Sequence, residues 1–188
     1  KKLLVGGGKL SDDMVSQLNK FKTQSYESFA MTETLTHFAI KQIAPVYNEW
    51  FKTIKGFEID HNKEGELIIK KNIITNCELE TKDLIEKKSN SEFKWLGRSD
   101  NIVNSGGIKL IPEEIERKIS KLICAPFVLV GVPDIKLGEK IAIVSNEPLE
   151  IDLDKINEVL SKYERIQTSY IVKRFPITQS GKIKRKEL

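Results

Sequence analysis

The chain is poor in the residues that build metal centres and disulfide frameworks. Its 188 residues include two cysteines, two histidines and two methionines. No ligand-type spacing joins Cys77 and Cys124 to each other or to His37 and His61. Each cysteine lies in or beside an apolar run, Ile73-Ile74 before one and Leu122-Ile123 before the other. We therefore read both as small buried side chains of a protein held in a reducing, cytoplasmic compartment. No apolar run approaches the roughly 18 residues of a membrane-spanning helix. The apolar stretch of "KKLLVGGGKL" is too short for a signal peptide. Internal repeats and low-complexity segments are missing as well, which excludes solenoids and compositional linkers. A strong charge of one sign is also lacking. Lys and Arg total 31 against 27 Asp and Glu, for a formal net charge of +4 spread along the chain. With no RNA- or DNA-reading motif beside it, this balance does not call for a nucleic-acid partner.

What is present suits one domain or two small ones. Hydrophobic residues make up 39% of the chain, enough for a core, and charged residues 31%, enough for a solvated surface. "KLLVGGG" reads as a buried strand entering a glycine turn. "SDDMVSQLNKF" predicts a helix with Ser11 as N-cap, acids in its first turn, and Met14, Val15 and Leu18 on one face. "YESFAMTET" is a strand-to-loop transition. "GFEIDHNKEGELIIK" predicts two short strands around Glu64-Gly65. Next, a strand ends near Gly97, a polar link follows, and Gly106-Gly107 makes a turn. Pro112 opens a helix with Glu113 and Glu114 in its first turn, where the helix dipole favours acids, and Ile115, Ile119 and Leu122 on its apolar face. "FVLVGVPD" and "KIAIVS" predict strands, "LDKINEVLSKY" an amphipathic helix and "SYIVKRF" a last strand. The fold class expected is α/β, more closely α+β.

We expect residues 1–97 to form one unit, β-rich over about 50–97, joined through a link at 98–101 that suits a hinge to a small α+β unit at 102–188. The opening strand reads as interior and needs neighbours on both sides, which the first half has few elements to supply. The chain also begins on Lys1 rather than Met. We therefore expect the first half to pack against a further N-terminal portion of the same protein.

Several short stretches could carry chemistry. Gly6, Gly7 and Gly8 would let a nucleotide approach the backbone, though on their own a tight strand–helix turn explains them better. In "FAMTETLTHF", Thr32 could hold a phosphate oxygen, Glu33 a Mg²⁺ ion, and Phe29 could stack on a base. A polar loop with threonine caps is the plainer account. Asp83 in "TKDL" could accept ribose hydroxyls, or be a turn residue. "GRSDNIVNSGGIKL" packs Arg98, Asp100 and two adjacent glycines into one polar link, which suits a hinge and a backbone lying close to a ligand. "ITQSGKIKRKEL" sets Lys182 on a glycine loop. A lysine there could neutralise charge in a phosphoryl or acyl transfer, or could belong to a frayed tail.

The order of these motifs is more informative than any one of them. "FAMTET", "GEL", "TKD", "GRSDNIVNSGGIKLIPEEIE", "VGVPD…GEK" and "ITQSGKIKR" resemble, in that order, the C-terminal portion of the adenylate-forming enzymes. That superfamily includes acyl-CoA synthetases, nonribosomal-peptide adenylation domains and luciferases. The resemblance runs from about Leu3 to Leu188. It implies an AMP-forming acid–CoA ligase acting on a small carboxylic acid with ATP, Mg²⁺ and CoA. By the same resemblance Phe29 stacks on adenine, Thr32 contacts the α-phosphate and Glu33 is linked to Mg²⁺. Asp83 and Arg98 bind the ribose, and Asp100 is the hinge. Ser105, Gly106 and Gly107 line the pantetheine tunnel for CoA, and Lys182 reaches the site during adenylation. Ala30 stands where the family usually has glycine, and Asn101 where an acid often follows the hinge. The family's Thr/Ser/Gly-rich phosphate loop is absent from these residues, so the segment alone is expected to be inactive. A non-catalytic binding domain of the same fold is the alternative. The presence together of Glu33, Asp83 and Lys182 speaks against it.

Overall fold

The computed structural model describes residues 1–7, 12–21, 23–179 and 181–188, without the side chains of Asp12 and Asp13. Ser11, expected as an N-cap, and Gly8 lie outside the described residues. The chain divides into two units, Lys1–Leu96 and Gly97–Leu188. Both are mixed α+β structures with few helices.

The first unit is built on eight strands: β1 (Lys2–Val5), β2 (Gln24–Ala30), β3 (His37–Ala44), β4 (Phe51–Thr53), β5 (Phe57–His61), β6 (Glu66–Asn72), β7 (Leu79–Lys87) and β8 (Glu92–Arg98). They form one sheet in the order β1-β2-β3-β4-β8-β7-β6-β5. β1 runs parallel to β2, and the pairs β2–β3, β3–β4, β4–β8, β5–β6 and β6–β7 are antiparallel. β5 and β6 form the hairpin expected around Glu64-Gly65, and Gly65 takes a positive φ of 83°. Alternating apolar residues send Phe57, Ile59, Leu67 and Ile69 to one side, where they meet Phe38, Phe51, Ile85 and Phe93 in a largely aromatic core.

Among the described strands of this chain β1 stands at the end of the sheet order, with Leu3 40% and Leu4 50% exposed and no neighbour on its outer side. One element here differs from expectation. The helix α1 (Asp12–Lys20) leaves Met14 exposed and Val15 and Leu18 only half-buried. Its apolar stripe is one turn wide and meets little of the sheet, so periodicity forms the helix without burying it.

The second unit contains β9 (Val103–Ser105), β10 (Ile108–Leu110), the helix α2 (Pro112–Ile119), β11 (Phe127–Asp134), β12 (Gly138–Ser145), the short helix α3 (Leu153–Asn157) and β13 (Thr168–Ile171). The sheet order is β10-β9-β12-β11, and β13 pairs in parallel with β12. β12 has partners on both edges, and Ile141 to Ser145 are all buried, which is why "IAIVS" reads as a continuous run rather than an alternating one. Pro112 at the helix start, Glu113 and Glu114 in its first turn and Arg117 and Lys118 in its last turn match the helix dipole. Ile115 and Ile119, one turn apart, bury against Leu129, Ile141, Ile143, Ile156 and Ile166. The helix expected over "LDKINEVLSKY" is reduced to five residues. Asn157 ends it by pairing its side chain with both backbone groups of Ile166, each at 2.8 Å.

The reading of the two cysteines as buried is corrected: Cys77 and Cys124 are both exposed free thiols. The apolar pair before Cys77 belongs to a turn after β6, where Asn72 Oδ1 accepts from the backbone N–H of Ile74 (3.0 Å) and Thr75 (3.3 Å). That turn lifts Ile73, Ile74 and Cys77 off the sheet. Cys124 lies in the connection from α2 to β11. Among the described residues, no helix is long and apolar enough to cross a membrane.

Candidate active site

In the first unit the polar stretch after β2 is a built turn. A 3-10 turn covers Thr32–Thr34, and Leu35 closes it in a left-handed conformation (φ 58°). The residue that holds the turn is Thr34, fully buried, and sequence reasoning passed over it. Its hydroxyl accepts from Met31 N–H at 3.1 Å and lies 2.8 Å from Thr36 O and 3.0 Å from Met31 O, either of which can take its proton. With Thr34 turned inward, Thr32 and Glu33 are left exposed at the tip. The available signal was residue type, since a threonine hydroxyl readily bonds backbone groups two or three residues away.

Phe29 is half-buried and packs edge-on against Phe38, Phe51 and Phe93, with centroids 5.2–5.6 Å apart. It is thus a core aromatic first, and any stacking on a base uses the part of the ring left accessible. Asp83 is not a turn residue, which corrects the plainer reading of "TKDL". It sits in mid-strand on β7, buried to 6% exposure, and accepts the indole N–H of Trp95 at 2.9 Å. Trp95 and Phe29 both pack against the same aromatic core, so the sheet brings the adenine and ribose candidates to one face.

At the far edge, Gly6 leaves room for the Ser28 hydroxyl, which donates to Val5 O at 3.1 Å. A Cβ there would collide with Ser28 Oγ and lie 3.4 Å from His37 Cε1. Gly7 has a positive φ of 97° with open space around it.

No group of three or more His, Cys, Asp or Glu side chains that could hold a metal occurs among the described residues. Glu33 is a single exposed carboxylate. That donor set fits a Mg²⁺ ion carried mainly by nucleotide phosphates, not one caged by protein ligands.

The second unit contains the other candidates. Arg98 grips Asp100 bidentately, Nε to Oδ1 at 2.9 Å and Nη2 to Oδ2 at 3.1 Å. The Arg98 hydrogen bond and charge hold the Asp100 carboxyl below the usual carboxylate range, against a partial burial that pushes the other way. Asn101 donates its side-chain amide to Glu113 Oε1 at 2.5 Å, which an ionised acid at that position could not do. Gly97 lies so close to Glu113 and Ile111 that a Cβ would come within 2.5 Å of each. Glycine at 97 therefore allows the Glu113 and Ile111 side chains to lie against the backbone just ahead of the link.

Gly106 and Gly107 form the two-residue turn between β9 and β10. Both have positive φ, 59° and 85°, the combination that two-residue hairpin turns of this hand demand. Gly106 N–H donates to Leu137 O at 2.9 Å, and Ser105 pairs with Gly138. Lys182 is exposed on a closed turn. Ile177 bridges Ile183, Thr178 N–H donates to Lys182 O at 2.8 Å, Lys182 N–H donates to Thr178 Oγ1 at 3.1 Å, and Gly181 takes a φ of 80°. The chain end is thus not a frayed tail.

The chain, a β-rich unit followed by a small α+β unit, matches the C-terminal part of the AMP-forming acid–CoA ligases. Within that class the likeness is to 2-succinylbenzoate–CoA ligases. The enzyme of that name from Staphylococcus epidermidis is 25% identical over 221 residues, covering all of this chain and 46% of that protein. A structure of o-succinylbenzoate–CoA synthetase from Bacillus subtilis, in complex with ATP and magnesium ion, superposes with a TM-score of 0.79 at 20% identity. It too is covered to 46%, with the whole of this chain aligned. An acyl-CoA synthetase-like protein from Dyadobacter fermentans is 29% identical over 99% of this chain and 56% of its own, with a TM-score of 0.54. The chain spans about half the length of the relatives it matches. No family model matches it.

Proposed function

We propose that this chain is the C-terminal part of an ATP-dependent acid–CoA ligase, and that the acid is 2-succinylbenzoate, activated for menaquinone synthesis. The observation that carries this is the pairing, on one small unit, of a hydrogen-bonded turn at Lys182 with a glycine hairpin at Gly106-Gly107. The remainder of the segment presents Glu33 and Asp83 on a separate unit. "AMTETLTHFAIKQI" and "FKWLGRSDNIVNSGGIKL" favour 2-succinylbenzoate over other aryl or fatty acids. Exposed apolar Leu3 and Leu4 at the sheet's end supply a surface for the further N-terminal portion of the enzyme. We place the enzyme in the cytoplasm, where ATP and CoA are available.

In this reading a substrate carboxylate attacks the α-phosphate of MgATP and displaces pyrophosphate. Mg²⁺, when bound, neutralises phosphate charge, and Glu33 would hold it. Phe29 and Asp83 orient adenine and ribose, with Arg98 as a further ribose contact, and Gly6 and Gly7 allow the backbone near the nucleotide. Thr32 donates to the α-phosphate, and the Lys182 ammonium stabilises the charge that develops there. The small unit then turns about Asp100. Lys182 leaves, the Ser105–Gly106–Gly107 hairpin arrives, and the CoA thiol attacks the acyl carbon with AMP as leaving group.

The test is ATP–pyrophosphate exchange by the full-length enzyme with a panel of acids. We expect 2-succinylbenzoate to drive exchange. Exchange with aliphatic acids alone would refute the substrate assignment. Lys182→Ala should lower exchange by about 10²–10³-fold and largely spare thioester formation from preformed acyl-adenylate. Equal loss in both halves would refute the role given to Lys182.

A further inference from the structure

Arg185 lies three residues beyond Lys182 and does not behave as a tail residue. Its side chain is 18% exposed and forks onto Glu116 of α2, Nη1 to Oε1 at 2.5 Å and Nη2 to Oε2 at 2.8 Å. The same Nη1 donates to Leu129 O of β11 at 2.7 Å. Nε lies 3.8 Å from Glu113 Oε1. Burial opposes the guanidinium charge, but the Glu116 hydrogen bonds and charge, with Glu113 behind them, outweigh it and hold the group above its ordinary pKa. One guanidinium therefore joins the chain end to both the helix and the sheet of the second unit. A planar fork is needed for that set of contacts, and a lysine could not make them together.

The anchoring has a geometric consequence. Three residues span at most about 10–11 Å, so fixing Arg185 confines the Lys182 backbone to a short arc. The intervening chain is itself fixed, with Lys184 N–H on Pro176 O at 2.8 Å closing the Lys182 turn. Glu113, on the other side of the guanidinium, accepts from Asn101, the residue after Asp100. The clasp thus links the start of the second unit to its lysine turn. All partners lie in that unit, so the clasp travels with it.

We propose that Arg185 is a positioning residue for Lys182: clamped to Glu116 and Leu129 O, it sets where the lysine ammonium is delivered during adenylation. This rests on the reading of Lys182 as the adenylation lysine.

The experiment uses the full-length enzyme with Arg185→Met, Arg185→Lys, Lys182→Ala and the Lys182→Ala/Arg185→Met double variant. Each is assayed for ATP–pyrophosphate exchange and for thioester formation from preformed acyl-adenylate. Arg185→Met should lower the exchange kcat by about 10–100-fold with little change in KM for ATP, and leave the thioester step within about twofold. On the Lys182→Ala background it should cost nothing further, because it acts only through the lysine. Should Arg185→Met not fold, Arg185→Lys, which keeps the charge but loses the fork, is expected to show the same selective loss in weaker form. Equal loss in both half-reactions, additive loss in the double variant, or unchanged exchange would overturn the proposal while leaving Lys182 in its role. Unchanged exchange in Lys182→Ala itself would remove that role and the proposal with it.

Discussion

Trp95 donates its indole N–H to Asp83 Oδ1 at 2.9 Å across the neighbouring strands β8 and β7. A carboxylate in mid-strand at 6% exposure costs heavily unless it is hydrogen-bonded, and the indole is one of the groups that keeps it there. Asp83 is therefore held by a rigid aromatic partner and does not sit on a loop.

If Asp83 binds the ribose as proposed, its hydrogen bonds set nucleotide affinity. Asp83→Asn should raise KM for ATP by about 10–100-fold, the value of hydrogen bonds to a charged group. Trp95→Phe keeps the ring in the core, loses only the N–H, and should raise KM by less. Nucleotide titrations followed by indole fluorescence check the arrangement: the ATP response should be reduced by Trp95→Phe and unaffected by Trp50→Phe. A response lost only with Trp50 would refute it.

At the other end of the proposed reaction, Gly107 has a positive φ of 85° and open space where a Cβ would go. Gly107→Leu places a bulky side chain in that space and strains the turn by about 1–3 kcal/mol. Thioester formation should fall by at least tenfold while ATP–pyrophosphate exchange is retained. An unchanged CoA step would remove the hairpin from the thiol path.

The Arg98–Asp100 pair gives a pH dependence whose sign follows from Asp100. Its folded-state pKa is lowered, chiefly by the Arg98 hydrogen bond. The stability it contributes is therefore present above the unfolded value of about 4 and is lost as pH falls through the lowered folded value. Both side chains are over a third exposed, at 41% and 34%, so solvent screening keeps the effect small. The difference in melting temperature between the wild type and Asp100→Asn should be constant from pH 8 to about 5 and shrink towards zero below about 4. A difference that grew on acidification would contradict the assigned pair.

Much of the molecule could be read from residue order alone. The Glu64-Gly65 hairpin, the Pro112 helix and the strands of "FVLVGVPD" and "KIAIVS" follow from turn chemistry, capping and alternation, which are local. So does the likeness to the acid–CoA ligases, because several spaced motifs must coincide. Three features could not be read this way, and each depends on what lies across the fold. Cys77 and Cys124 follow apolar residues yet are exposed, because one lies in the turn after β6 and the other in the connection from α2 to β11. Asp83 looks like a turn residue in "TKDL" but is buried, because Trp95, twelve positions away, supplies its hydrogen bond. Arg185 looks like one more basic residue of a tail, and becomes an anchor only when Glu116, 69 positions away, is folded beneath it. Sequence by itself determined which segments become strands, turns and helices, since backbone preference acts over a few residues. Only the tertiary structure decided which charged groups are buried, because burial of a charge is set by a partner that the chain brings from far along its length.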